Sequence, residues 1–340
     1  MNRIMVSLAV GILALPESLT VFADKIVTPY DFSDPTVWRS SSGKYLALAS
    51  GMKKMLVSDD FLTWKESGID PIDPAARKLL LLFGTAKDVI GDGGLWAPDV
   101  TRVGDKWILA VATHAGKARE TRVFSLVADR PEGPFRDPRQ LVYSKDVGII
   151  DCIDPEIVTE DGKTYLFFGS LGGVHRLELS PDARAVTAGS KPVHVAGNRA
   201  GWNYEGMDRK RLTQFEGSYL HRRDGWWYLF CSAGWYSDET YCIKVGRARK
   251  LTDDFVDREG RLLRDGHATL VLASSAADRY HGPGHNGEIV VRPDGEYISY
   301  HCHDSRMPVA KGYLPRPMAI GRMKWSADGW PTVERLEGGK

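Results

Sequence analysis

The sequence has no excess of either charge, no long apolar run beyond its N-terminus, and only four cysteines in 340 residues. Each absence removes a class of protein. Lysine plus arginine number 45 against 44 aspartate plus glutamate, a net charge of +1, and neither sign gathers into runs. A phosphate-binding face needs clustered basic residues, so nucleic acid and anionic membrane are excluded as main partners and an uncharged polymer fits better. After the N-terminus nothing approaches the roughly 20 apolar residues that a membrane-spanning helix needs. The cysteines, at 152, 231, 242 and 302, show no C-x-x-C spacing for metal or redox work. Cys231 and Cys242 flank an expected hairpin, and they could bridge in an oxidising compartment or stay as buried thiols.

What is present begins with Met1-Asn2-Arg3, an uncharged stretch from Ile4 to Leu15, and Val21-Phe22-Ala23. A basic start, a short apolar run and small residues near a cut site describe a secretory signal peptide. Residues 1–23 are therefore expected to be removed after Ala23 and the mature chain, 24–340, to be exported and to work as a monomer.

Five segments then align on a glycine: Gly43-Lys-Tyr-Leu-Ala, Gly104-Asp-Lys-Trp-Ile, Gly162-Lys-Thr-Tyr-Leu, Gly225-Trp-Trp-Tyr-Leu and Gly295-Glu-Tyr-Ile-Ser. Successive glycines are 61, 58, 63 and 70 residues apart, a rough period that points to one unit repeated five times. Most follow a short β-prone run and a polar turn, which together read as a hairpin, and several precede another strand such as Val123-Phe-Ser-Leu-Val. Three or four strands per unit with few helical patterns fit an all-β, five-bladed β-propeller better than a β-sandwich.

Counting back from the hairpin glycines places Asp34, Asp154, Glu216 and Asn286 eight or nine residues upstream, where each innermost strand begins near the axis. The second unit departs, with Trp96-Ala-Pro-Asp99 only five residues before Gly104. Any one Asp-Pro here could be a plain turn residue. Three carboxylates at matching points of separate blades should instead converge, and like charges at close range push their pKa values apart. Inverting glycoside hydrolysis requires such a pair, one protonated and one ionised, about 6.5–9.5 Å apart.

The ordered segments Ser33-Asp34-Pro-Thr-Val, Leu95-Trp96-Ala-Pro-Asp99-Val, Ile153-Asp154-Pro, Phe215-Glu216-Gly-Ser-Tyr, Tyr241-Cys-Ile-Lys-Val-Gly-Arg and Gly282-Pro-Gly-His285-Asn286 resemble glycoside hydrolase family 43, and within it the endo-1,5-α-L-arabinanases. The resemblance spans nearly the whole mature chain. It implies hydrolysis of α-1,5-linked arabinofuranosyl units of arabinan, a plant cell-wall polysaccharide, by inversion. Asp34 would be the general base, Asp154 the residue that tunes and places the acid, and Glu216 the general acid. Trp96, Asp99 and His285 would contact substrate, with Trp96 either stacking on a sugar or packing between blades. His285 would also face a calcium ion in the central channel, an unusual site because calcium prefers oxygen ligands. His301 and His303, on one strand face, could bind metal or line the channel.

Three departures from the pattern stand out. Ser33 replaces the histidine usual before the base, Glu288 adds a fourth carboxylate near the site, and residues 200–214, with Trp202 and Tyr204, have no counterpart. The alternatives are an exo-acting arabinofuranosidase or β-xylosidase of the same family, and a sugar-binding propeller without catalysis.

Overall fold

The computed structural model describes residues 25–84, 94–115, 120–197, 215–274, 279–309 and 313–336. The expected signal peptide and the 200–214 segment lie outside them. The described chain forms five antiparallel sheets in a ring. Blade one runs Thr36–Arg39, Tyr45–Leu48, Leu56–Ser58 and Lys65–Glu66. Blade two runs Leu95–Val103, Lys106–Ala115, Glu120–Ala128 and Arg136–Tyr143. Blade three runs Glu156–Glu160, Lys163–Phe168, Val174–Leu179 and Val193–Ala196. Blade four runs Glu216–Arg223, Trp226–Ala233, Cys242–Ala248 and Thr269–Ala273.

Blade five is built differently. Its inner edge is split between Tyr280–Gly284 and Ile289–Arg292, both paired to Gly295–Asp304. The next strand, Met318–Trp325, pairs with both Pro331–Arg335 and the N-terminal Lys25–Ile26. The start of the described chain thus joins its end and closes the ring, a pairing that the local sequence pattern does not announce.

Five apolar cores hold the ring, one at each blade-to-blade interface. Leu166 and Phe168 face blade two while their neighbours Tyr165 and Phe167 face blade four. Trp227 and Leu229 likewise pack against blade three, and Tyr228 and Phe230 against blade five. A strand buried on both faces needs no polar alternation, which is why the repeated glycine is followed by an unbroken apolar run. The glycine itself has a positive φ in all five hairpins, from 61° to 144°, a region where a Cβ is costly. All four cysteines are buried free thiols, so Cys231 and Cys242 follow the thiol alternative. A helix, Pro74–Leu81, joins blades one and two, capped by the Asp73 side chain on the Ala75 and Ala76 N–H groups.

Candidate active site

Each innermost strand enters the ring through one residue in the left-handed region: Asp34 (φ 57°), Ala97 (44°), Asp154 (54°), Gly217 (57°) and His285 (46°). Asp tolerates this backbone better than most residues, and strain of this kind concentrates at functional sites. The five-fold repeat also corrects the count made from the glycines. In blade four the position equivalent to Asp34 and Asp154 is Gly217, and in blade five it is His285 instead of Asn286. The hairpin turns differ, five residues separating Arg39 from Tyr45 but two separating Arg223 from Trp226, and Gly295 is the first residue past its two-residue turn, so distance from the glycine does not fix a place on the strand. Glu216 therefore stands one residue before the Asp34 position.

The three expected carboxylates share one site. His285 Nδ1 lies 3.3 Å from Asp34 Oδ1 and 3.9 Å from Asp154 Oδ2. Asp154 Oδ2 accepts the Gly217 N–H at 2.9 Å, which ties it to the residue after Glu216. Asp34 accepts a hydrogen bond from Ser50 Oγ at 2.5 Å and lies 3.3 Å from Arg316 Nη1. His301 Nδ1 accepts the Asp34 backbone N–H at 3.1 Å. Glu216 accepts from Ser170 Oγ at 2.5 Å and from Tyr241 OH at 2.7 Å.

The electrostatics separate the two aspartates. Burial by itself would raise Asp34, but Arg316, His285 and His301 outweigh it and hold the carboxyl well below the usual range. His301 is itself neutral, pushed down to about 3 by burial and by Arg316, so the fixed charge beside Asp34 belongs to Arg316. Asp154 moves the other way, raised well above the usual range by burial and then by the charges of Glu216 and Asp34. One pocket thus holds a carboxyl whose neighbours favour its ionised form beside one whose neighbours disfavour it, a separation of the kind that acid and base work requires.

Arg316 is the main functional residue that the sequence left unmarked. It is buried, its backbone N–H and the Tyr313 hydroxyl both donate to Asp31, and its Nε donates to Tyr313 OH. Its guanidinium also sits 5.1 Å from the centre of the Tyr236 ring. No local motif marks it, because its partner Asp34 lies 282 residues away. The serines do carry a signal: Ser50, Ser170 and Ser232 follow the hairpin glycines of blades one, three and four by seven or eight residues.

Trp96 stacks on His114, with centroids 4.4 Å apart and planes 21° apart, and the strand that carries it enters the site at Ala97. Asp99 is turned along the inner ring, where it accepts the Ile157 N–H of blade three at 2.9 Å. It belongs to a repeated device. Thr36 accepts from Val100 of blade two, Glu156 from Leu220 of blade four, and Tyr219 OH from Ile289 of blade five. Each link reaches from one blade to the backbone of the next, so this second tier stitches the inner strands together.

Three carboxyls sit in that tier. Burial pushes Asp99 and Glu288 up to about 7, and burial, Asp99 and Glu288 raise Glu156. Glu288 is exposed to solvent, which weakens the burial effect there, so the pH dependence rests first on Asp99. The unfolded chain loses these protons near pH 4, whereas the folded chain loses those of Asp99 and Glu288 near pH 7. Between these values the folded form binds more protons, so stability falls as pH rises through the window. The thermal midpoint is expected to drop from about pH 5 to about pH 8. Asp99→Asn, which can still accept the Ile157 N–H, is expected to flatten that slope. A melting series with the same slope in both proteins counts against it.

The donors do not form a cage for calcium. Among the described residues no three His, Cys, Asp or Glu side chains are arranged to hold a metal ion. His285 turns Nδ1 toward Asp34 and Asp154, and His303 Nε2 lies 2.9 Å from the Tyr236 carbonyl oxygen. Calcium takes about six to eight oxygens, which these side chains alone do not supply, so no chemical step is routed through a metal here.

Three comparisons bear on this geometry. The model of the family described as glycosyl hydrolases family 43 matches residues 23–331. A protein named probable arabinan endo-1,5-α-L-arabinosidase A from Aspergillus flavus is 28% identical over 315 residues, covering 88% of this chain and 90% of its own. An extracellular exo-α-(1→5)-L-arabinofuranosidase of Cellvibrio japonicus is 26% identical over 329 residues, covering 90% and 87%. Among solved structures, the Cellvibrio cellulosa α-L-arabinanase complexed with arabinohexaose superposes with a TM-score of 0.71 at 22% identity. It covers 90% of this chain and 98% of that one, a likeness of fold.

Proposed function

The chain belongs to glycosyl hydrolases family 43, and from that premise we propose that it cleaves α-1,5-linked arabinofuranosyl units of arabinan with inversion. The observation that carries this reading is the opposite electrostatic treatment of Asp34 and Asp154 within one pocket. Asp34, held ionised beside Arg316, takes a proton from a water as that water's oxygen attacks the anomeric carbon. Glu216 gives its proton to the departing glycosidic oxygen as the carbon–oxygen bond breaks. Asp154 accepts the Gly217 N–H and so fixes the backbone beside Glu216, which is how it places the acid. Trp96, already stacked on His114, offers a flat apolar face to a furanose ring.

Internal cleavage is supported by the Aspergillus relative, and cleavage from chain ends by the Cellvibrio one; we infer the former. Linear arabinan is expected to yield a ladder of oligosaccharides early in the digest. A single short product from the first minutes would favour the exo reading. Proton NMR during the digest is expected to show the β-anomer first, and an α-anomer formed first would rule out inversion. EDTA is expected to leave the rate unchanged; a loss restored by calcium would point to an ion held through water at His285. The extracellular relative and the Met1–Ala23 pattern support export.

A further inference from the structure

Glu216 is gripped on both oxygens by hydroxyls from two other strand ends. Ser170 follows the second strand of blade three and is 3% exposed, and its carbonyl accepts the Gly173 N–H at 2.7 Å. The turn behind it is closed tightly enough that a Cβ on Gly169 would lie 2.2 Å from the Gly173 carbonyl oxygen. Tyr241 is 1% exposed and stacks on His301 with planes 11° apart. The blade-five entry also packs against it, where a Cβ on Gly284 would come within 2.1 Å of the ring. Both side chains are thus buried where they meet Glu216. The serine is also a repeated part: Ser50 donates to Asp34 and accepts the Ala97 N–H, and Ser232 accepts the His285 N–H.

We propose that Ser170 and Tyr241 are positioning residues that act through Glu216, fixing its carboxyl and donating to both its oxygens once its proton has passed to the leaving sugar oxygen. The inference rests on the reading of Glu216 as the general acid. A hydroxyl can donate or accept. While Glu216 is protonated, one of the pair accepts; as the proton leaves and negative charge grows, both donate. Hydrogen bonds to an ionised acceptor are about twice as strong as neutral ones, so the clamp favours the transition state over the ground state. Burial and the nearby carboxylates keep the Tyr241 phenol protonated throughout.

The test compares Ser170→Ala and Tyr241→Phe with the parent on two substrates: linear α-1,5-arabino-oligosaccharide, and an α-1,5-arabino-oligosaccharide carrying dinitrophenolate, which leaves without a proton. Each variant is expected to lose about tenfold in kcat on the first substrate and less than about twofold on the second. The basic limb of the kcat/KM profile is expected to move to higher pH, because losing a donor destabilises the ionised acid. A structural role would lower both rates alike and leave the limb in place. Equal losses on both substrates, or no loss on the first, would overturn the clamp. Glu216→Gln, run in parallel, separates the premises: if it shows the acid's signature and the two variants do not, the clamp alone fails. If it keeps its rate on the oligosaccharide, the reading of Glu216 fails first.

Discussion

Asp34→Asn is expected to lower kcat about 10³- to 10⁴-fold on every glycoside, whatever its leaving group, since general bases contribute roughly that much. Asp34 is the pocket carboxylate that Arg316 keeps ionised, and an amide cannot take the proton of the attacking water. Asparagine tolerates the left-handed backbone, φ 57°, that this position demands, so the strand entry should hold. The substitution removes the negative partner of a buried guanidinium, and an uncompensated charge of that kind costs about 3–5 kcal/mol. A lowered thermal midpoint should therefore accompany the lost activity. Circular dichroism at the assay temperature checks that the chain remains folded while kcat is measured. A folded Asp34→Asn variant that turned over arabinan at even a tenth of the parent rate would remove Asp34 from the base role.

Glu216→Gln is expected to lose about 10³-fold on arabinan, within the range that a positioned general acid supplies, and far less on a dinitrophenyl glycoside. The asymmetry follows from the role. An alkoxide of a sugar leaves poorly without a proton, whereas dinitrophenolate needs none. Glutamine keeps the shape and can still meet the Ser170 and Tyr241 hydroxyls, so stability should change little. The substitution also removes a negative charge that raises Asp154. Any pH limb that reports Asp154 should accordingly shift to lower pH in the variant. Measuring both substrates across pH on one preparation reads the two effects together, and equal losses on both substrates would exclude Glu216 as the acid.

Much of the ring was legible because it is a repeat. A hairpin glycine with positive φ, followed by a strand buried on both faces, leaves the same signature five times. What the count missed, it missed for a physical reason. The hairpin turns differ in length and in where the glycine sits, five residues lying between Arg39 and Tyr45 but two between Arg223 and Trp226, with Gly295 the first residue past its turn. Residue counting therefore paired Glu216 with Asn286, while the backbone aligns Gly217 with His285.

The sequence by itself determined the five blades, the aromatic cores between them and the identity of Asp34, Asp154 and Glu216, because those depend on local periodicity and on residues that open each inner strand. Only the tertiary structure decided what each carboxyl is able to do. Arg316 reaches Asp34 from 282 residues away, Ser170 crosses from one blade to the next to meet Glu216, and the N-terminal strand closes the last sheet. Ionisation depends on burial and on charges within a few ångströms, and those distances exist only once the ring has closed.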